Sequence, residues 1–352
     1  MFFMFDKIFG KFRKDLGIDL GTANMLVYLK GRGIVINEPS VVAINTKTEQ
    51  ILAVGNEAKD MIGKTPPHIM TTKPLVNGII ADFEVTEKMI TYYIEKINAG
   101  NISFISRPRV VIGAPLELTE VERKAVSDAV LNSGASSVFI VEEPMLSAIG
   151  SRMPVKDPVG NFIIDIGGGT TEIAVIALSG IVKSKSIKIA GDEFNQNIMQ
   201  FARDNFSLLI GERQAEEIKI KIGSAVELPE KMEFPMRGRD MITGLPKEVI
   251  INDSQVREAL SRSLKAIVDN VKALVEITPP ELIADIHERG ILLTGGGALL
   301  RGIDQLVSRA TELPVRVADD PLTCLVRGCG ILLDDEDLLL EVAVYPTHDN
   351  VD

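Results

Sequence analysis

Two segments carry the residue types that phosphate and cation chemistry needs. Leu16-Gly17-Ile18-Asp19-Leu20-Gly21-Thr22-Ala23-Asn24 ends an apolar run in a carboxylate and follows it at once with a glycine-containing turn. Half a chain later, Phe162-Ile163-Ile164-Asp165-Ile166-Gly167-Gly168-Gly169-Thr170 repeats the arrangement. Each is followed by a second apolar run, Met25 to Leu29 and Ile173 to Leu178, then by Gly33-Ile34-Val35 and Gly180-Ile181-Val182. Both copies read as strand, turn, strand. Glycine lets backbone N–H groups come close to an anion, while the neighbouring Asp can face a cation. One copy alone describes an ordinary β-hairpin equally well. Two copies point to a duplicated domain in which each half gives one phosphate-binding hairpin to a nucleotide cleft.

Three further groups are candidates for the same chemistry. Gly295-Gly296-Gly297 follows the apolar run Gly290 to Thr294 and reads as the start of a helix. There it could cradle a phosphate or let a base lie on bare backbone; glycines that only permit close packing are the other explanation. Glu216 and Lys219, three apart on one helical face, are either an exposed ion pair or the edge of a cleft. Glu143, between a strand and Pro144, is a carboxylate at a rigid corner, where α/β sheets tend to bind ligands. The familiar nucleotide fingerprints fail. Residue 300 is Leu where the dinucleotide pattern starting at Gly295 needs Gly, and Gly63-Lys64-Thr65 lacks the earlier glycine of a P-loop.

The elements that must position these groups can be read from periodicity. Val110 to Pro115 is a buried strand, Thr119-Glu120-Val121-Glu122 a capping box opening a helix through Leu131, and Phe139-Ile140-Val141 the next strand, leading into a short helix from Met145 to Gly150. Ser254 to Glu276 is a long amphipathic helix stopped by Pro279-Pro280. Strands alternating with helices give an α/β class. Two stretches read as insertions, Asn37 to Ile79 and Gly191 to Ile251.

Composition bounds the function. The 352 residues hold 38 Lys+Arg against 49 Asp+Glu, a net charge of −11, which disfavours nucleic acid as a partner. With 45% hydrophobic and 25% charged residues the chain is an ordinary globular protein. Two cysteines, Cys324 and Cys329, and three scattered histidines make neither a disulfide framework nor a zinc site and suit a reducing cytoplasm. The longest uncharged stretch, Ala129 to Val141, is well short of the roughly 20 residues of a membrane span.

The first 14 residues differ in kind. On a helical wheel Phe2, Phe5, Ile8, Phe9 and Phe12 share one face, with Lys7, Lys11 and Lys14 opposite and Arg13 beside them. That pattern predicts a helix lying in an anionic membrane interface. A signal peptide is disfavoured by Asp6 and Lys7 inside the apolar core; a helix docked on the protein's own body is the other alternative. Phe104-Ile105, in the polar loop after Gly100, is either a second apolar contact with lipid or a buried strand start.

Gly17 to Asn24, Glu142-Glu143-Pro144, Asp165 to Glu172, Ile218 to Ala225, Leu293 to Ala298 and Asp319-Asp320-Pro321-Leu322-Thr323-Cys324 together resemble, in order and over nearly the whole chain, the signature segments of the MreB family of bacterial actin homologues. The resemblance implies an actin-like ATPase fold, α/β, with two duplicated large domains and two smaller inserted subdomains around a nucleotide cleft. It divides the chain into a membrane helix at 1–14, one large subdomain from 15–36, 80–156 and 320–340 with its insert at 37–79, a second from 157–190 and 255–319 with its insert at 191–254, and a tail at 341–352. It implies ATP and Mg²⁺, with Asp19 and Asp165 holding the metal through water and Gly21, Thr22, Ala23, Asn24, Gly167, Gly168 and Gly169 donating to the phosphates. Glu143 would orient the attacking water with Thr170 beside it. Glu216 and Lys219 would edge the ribose and base, and Gly295 to Gly297 would face the base and α-phosphate. One departure is Met25, where the family usually has Thr, so any hydroxyl role there is lost. The partners implied are further copies of the chain in a filament, an anionic membrane at the cytoplasmic face, the cell-wall elongation machinery and a RodZ-type transmembrane adaptor. Two other classes share such a cleft. A sugar kinase needs an Asp base and a domain to hold it, and a chaperone-type switch needs a peptide-binding domain after residue 340; neither is evident.

Overall fold

The computed structural model describes residues 14–99 and 107–347, so the predicted amphipathic face, apart from Lys14, and Phe104-Ile105 lie outside the described residues. The chain divides into two compact units. Unit 1 takes the chain up to Asp157, Leu178–Gly180 and everything from Thr323; unit 2 takes Pro158–Ala177 and Ile181–Leu322.

In unit 1, β1 (Leu16–Leu20), β2 (Asn24–Leu29) and β3 (Gly33–Pro39) form an antiparallel meander. A small module follows: β4 (Val42–Asn45), β5 (Ile51–Val54), α1 (Asn56–Met61), β6 (Ile69–Thr72) and the hairpin of β7 (Leu75–Val76) and β8 (Ile79–Ile80). The chain returns through α2 (Phe83–Asn98), β9 (Arg109–Ala114), α3 (Glu120–Asn132), β10 (Ser137–Glu142) and α4 (Glu143–Gly150). The sheet order is β3-β2-β1-β9-β10, with β1, β9 and β10 mutually parallel. The expected capping box is formed: the Thr119 hydroxyl accepts from the Glu122 N–H while the Glu122 carboxylate accepts from the Thr119 N–H.

Unit 2 repeats the scheme. Its β11 (Asn161–Ile166), β12 (Thr171–Ala177) and β13 (Gly180–Ile187) are again an antiparallel meander. After α5 (Gly191–Phe206), β14 (Leu208–Leu209), α6 (Glu212–Ile222), β15 (Glu233–Asp240) and β16 (Pro246–Asn252) come α7 (Asp253–Glu276), α8 (Pro280–Arg289), β17 (Ile291–Thr294), α9 (Ile303–Thr311) and β18 (Val315–Val317). The order β13-β12-β11-β17-β18, with β17 parallel to β11 and to β18, reproduces the five shared strands of unit 1. Strand alternation explains both halves. Leu16, Ile18 and Leu20 enter the core of unit 1, and Phe162, Ile164 and Ile166 that of unit 2, which leaves Asp19 and Asp165 on the opposite faces of their strands.

The chain closes unit 1 with α10 (Cys324–Asp334), α11 (Glu336–Val342) and β19 (Tyr345–Thr347). The last of these lies in the segment expected to be a tail, and it pairs antiparallel with β10. Helix α10 meets α4 backbone to backbone, because Gly150 faces the Cys324 carbonyl and Gly328 the Leu146 carbonyl, with room for no side chain at either. The same helix lies on β1, where a methyl group at Gly17 would stand 2.5 Å from the Cys329 Cβ.

Overpacking a tight contact of this kind costs about 1–3 kcal/mol. Gly328→Ala is therefore expected to lower the unfolding free energy by that amount and the urea midpoint with it. Gly211→Ser, at an open helix N-cap with nothing within 4 Å, leaves it unchanged or raises it slightly. Equal midpoints for the two variants in urea unfolding would contradict the close crossing.

Candidate functional site

In unit 1 the site residues gather at one edge of the sheet. Ile18 of β1 is level with Ile112 of β9, which is level with Ile140 of β10. The C-terminal ends of all three strands therefore share an edge, with Asp19 and the Glu142-Glu143 corner two strands apart, on the order of 10 Å. The Gly21–Ala23 turn is tied from outside the hairpin. Ser40 donates its hydroxyl to the Gly21 carbonyl at 2.6 Å and its N–H to the Ala23 carbonyl at 3.0 Å, while the Gly78 N–H donates to the Thr22 hydroxyl oxygen at 2.9 Å. With its carbonyls engaged, the turn keeps N–H groups outside the strand ladder for an anion. Against β1, at Gly17 and Ile18, lies Cys329: burial pushes this thiol well above its ordinary range, and the nearby Asp19 charge adds to the shift.

Glu143 stands at the strand-to-helix corner, directly after β10 and before Pro144, and is itself the first residue of α4, two residues ahead of the expected helix start, because proline's fixed φ suits a helical first turn. Its neighbour Glu142 ends β10, and burial raises its pKa against the opposing pull of Arg123. Met25, in the place where a hydroxyl was missed, is fully buried in the unit 1 core. Its side chain serves packing, and the turn is held by other residues.

Unit 2 solves the same problem with a helix. The carbonyls of Gly167 and Gly168 accept from the N–H groups of Gly191 and Asp192 at 3.1 and 2.8 Å, so the first turn of α5 grips the back of the turn. Gly167 N–H bonds the Thr170 carbonyl at 2.9 Å, and Thr170 is buried. Lys219, on α6, donates its ammonium to the Gly191 carbonyl at 2.9 Å, which brings a positive charge beside the turn. Glu216 stands one turn earlier on the same half-buried face of α6. Asp165 is level with Thr294 of β17, and a methyl group at Gly295 would sit 2.5 Å from its carboxylate.

Gly295 to Gly297 do not open an α-helix as expected. Gly295 has φ 78°, and residues 296–299 form one 3₁₀ turn closed by Ala298 N–H to the Gly295 carbonyl at 3.2 Å and Leu300 N–H to the Gly297 carbonyl at 3.1 Å. The following helix starts only after Gly302. Gly295 is demanded by the Ile166 carbonyl and the Asp165 carboxylate pressed against it, and Gly297 by the Ile166 side chain, so close packing explains two of the three glycines. Lys14, expected on the membrane-facing helix, donates to the Ile97 carbonyl at 3.0 Å, at the C-terminal end of α2.

The donor set suits a hydrated hard cation. Among the described residues no group of three or more His, Cys, Asp and Glu side chains could hold a metal ion. Each turn instead has a single oxygen-donor carboxylate beside it, as fits Mg²⁺ that keeps its waters and shares phosphate oxygens. Ser40, Gly78 and Gly191 were not singled out by sequence. All three lie in the stretches read as insertions, and only the Pro39-Ser40 and Ala190-Gly191 junctions at the strand exits hint at them.

Comparison with known proteins agrees with this arrangement. The family model for MreB/Mbl protein matches residues 13–341. The cell shape-determining protein Mbl of Bacillus cereus is 48% identical over 328 residues, 93% of this chain and 98% of its own length. The cell shape-determining protein MreB of Escherichia coli is 47% identical over 339 residues, 95% and 97% of the two chains. The crystal structure of MreB5 of Spiroplasma citri bound to ADP superposes with a TM-score of 0.88 at 39% identity, covering 94% of this chain and 98% of that one; a second is bound to AMPPNP. The MamK double helical filament, at 22% identity and a TM-score of 0.77 over 92% and 99% of the chains, shares the fold. The duplicated sheets are the actin-like fold, and the chain belongs to the MreB/Mbl family.

Proposed function

We propose that this protein is an actin-like ATPase that polymerises with ATP on the inner face of the cell membrane and organises cell-wall elongation. The observation that carries the reading is the repeated Asp-Gly turn at equivalent positions of two equivalent sheets. Relatives crystallised with ADP and AMPPNP support a nucleotide as its ligand. Both turns take part in holding the phosphates, through the N–H groups of Gly21 to Asn24 and of Gly167 to Gly169. Mg²⁺, held through water by Asp19 and Asp165, supplies positive charge against the phosphate oxygens.

The chain's own residues do the rest. In this reading Glu143, at the first turn of α4, orients the attacking water, and Thr170, buried within unit 2, is assigned to the same step. Lys219 and Glu216 edge the ribose and base, and the Gly295 to Gly297 turn faces the base and α-phosphate. Phosphoryl transfer asks the protein mainly for positioning and charge, so slow hydrolysis follows from few groups. Assembly into a filament, as in the fold neighbour MamK, multiplies weak membrane contacts of Phe2, Phe5, Ile8, Phe9 and Phe12 with Lys7, Lys11 and Lys14. The elongation machinery and a RodZ-type adaptor are the expected further partners.

Three outcomes test this reading. Asp165→Asn, which keeps the side chain's size against Gly295, is expected to weaken Mg-ATP binding about tenfold or more, near 1.4 kcal/mol, in calorimetry. Unchanged affinity would sink the duplicated-turn account. Glu143→Ala should hydrolyse ATP about 10²-fold more slowly while binding and sedimentation with ATP stay near wild type; a wild-type rate of phosphate release assigns the water to another residue. In liposome flotation with anionic lipid and Mg-ATP, deletion of residues 2–12 and the Phe5→Glu/Phe9→Glu double variant should both lose the membrane that wild type holds, since each basic residue near such a surface adds only about 1 kcal/mol. Equal flotation of all three, with assembly confirmed, places the lipid contact elsewhere.

A further inference from the structure

Outside the phosphate turns, one half-buried carboxylate of unit 1 gathers three partners from two other elements. Glu38, on β3 opposite Met25, pairs with the Lys96 ammonium of α2 at 2.9 Å. Its other oxygen lies 3.4 Å from the Tyr93 hydroxyl and accepts from the Asn56 N–H, at the start of α1, at 3.4 Å. The Glu38 side chain is 18% exposed, and Tyr93 is fully buried. Burial and the adjoining carboxylate push the Tyr93 hydroxyl's pKa up, which keeps it a proton donor. The Lys96 ammonium also stands 5.8 and 5.9 Å from the ring centres of Tyr92 and Tyr93.

Gly55, at the N-cap of α1, has φ 73° and no cap side chain to offer. Any side chain there would collide with the Glu38 carboxylate and with the Tyr93 hydroxyl, so the glycine leaves space that the carboxylate fills. Glu38 thus serves as a cap borrowed from another strand, at the helix end that favours negative charge. Two residues further on, past Pro39 with its fixed φ, Ser40 makes both bonds to the Gly21 and Ala23 carbonyls.

We propose that Glu38 is a positioning residue for the Gly21–Asn24 turn. Clamped between α1 and α2, it fixes the exit of β3, and the stiff Glu38-Pro39-Ser40 link passes that constraint to the turn. Its effect on nucleotide rests on the phosphate role proposed above; its effect on the turn does not. The sheltered partner is Glu38, 18% exposed against 47% for Lys96, so removal of the ammonium leaves a poorly solvated carboxylate. The exposed Lys88–Glu84 pair on the same helix has no such consequence and serves as the control.

The test compares Lys96→Met, Lys96→Arg, Glu38→Gln and Lys88→Met with wild type by amide hydrogen exchange without nucleotide, and by Mg-ATP titration. Lys96→Met and Glu38→Gln should speed exchange at Gly21–Met25 about tenfold, leave the Gly167–Thr170 turn unchanged and weaken Mg-ATP several-fold. Lys96→Arg, whose guanidinium also reaches the carboxylate, should restore both readouts, and Lys88→Met should move neither. Unchanged exchange at Gly21–Met25 in Lys96→Met overturns the proposal. So does faster exchange spread evenly through unit 1 and not restored by Lys96→Arg, which marks a merely structural ion pair. If the exchange pattern is as expected while wild type binds no Mg-ATP, the positioning role stands and the nucleotide reading falls.

Discussion

A carboxylate at the end of an otherwise apolar strand is the constraint from which the rest of this molecule follows. Asp19 and Asp165 close strands whose other residues are almost all buried, and Asp165 itself is only 8% exposed. An ionised group in such a place is costly unless a cation or directed hydrogen bonds compensate it. The turn after each Asp must then hold backbone N–H groups in fixed directions without the help of a strand ladder. Sheet order serves this need, since each Asp strand has a hairpin partner on one side and a parallel partner on the other.

The two halves fix their turns by different means. In unit 1 the carbonyls are held by Ser40 and the Thr22 hydroxyl by Gly78, both supplied by chain that flanks or belongs to the inserted module. In unit 2 the carbonyls are held by the first N–H groups of α5, with Lys219 reaching in from α6. The first arrangement makes the turn responsive to how the inserted module is seated, which is where Glu38 acts. The second makes it depend on a helix that begins with Gly191, a residue at which a Cβ would stand 3.3 Å from the Gly167 carbonyl. A duplicated fold has kept the Asp-to-Gly turn and changed the scaffold around it.

Much of this was legible because it is local. The Asp-Gly echo, the Thr119–Glu122 capping box and the alternation of β1 and β11 each depend on residues within a few positions of one another. What sequence could not give was set by contacts from far away. The Ser40 hydroxyl bond crosses 19 residues and the Gly78 bond 56, and the Glu38–Lys96 pair spans 58. Gly295 to Gly297 differ from expectation for the same reason: a glycine run after a strand suggests a helix N-terminus, but Gly295 and Gly297 lie against the Asp165 carboxylate and Ile166, and residues 296–299 form a 3₁₀ turn. That Met25 has no hydroxyl was plain from its type, but that its side chain fills the unit 1 core depends on packing from distant strands and helices.

The central claim, that both turns hold the phosphates, is tested most directly by amide exchange of the intact protein with and without Mg-AMPPNP. The account predicts that the nucleotide slows exchange at Gly21–Asn24 and at Gly167–Gly169 together, with the same concentration dependence. Protection at one turn alone, or at neither, would contradict it.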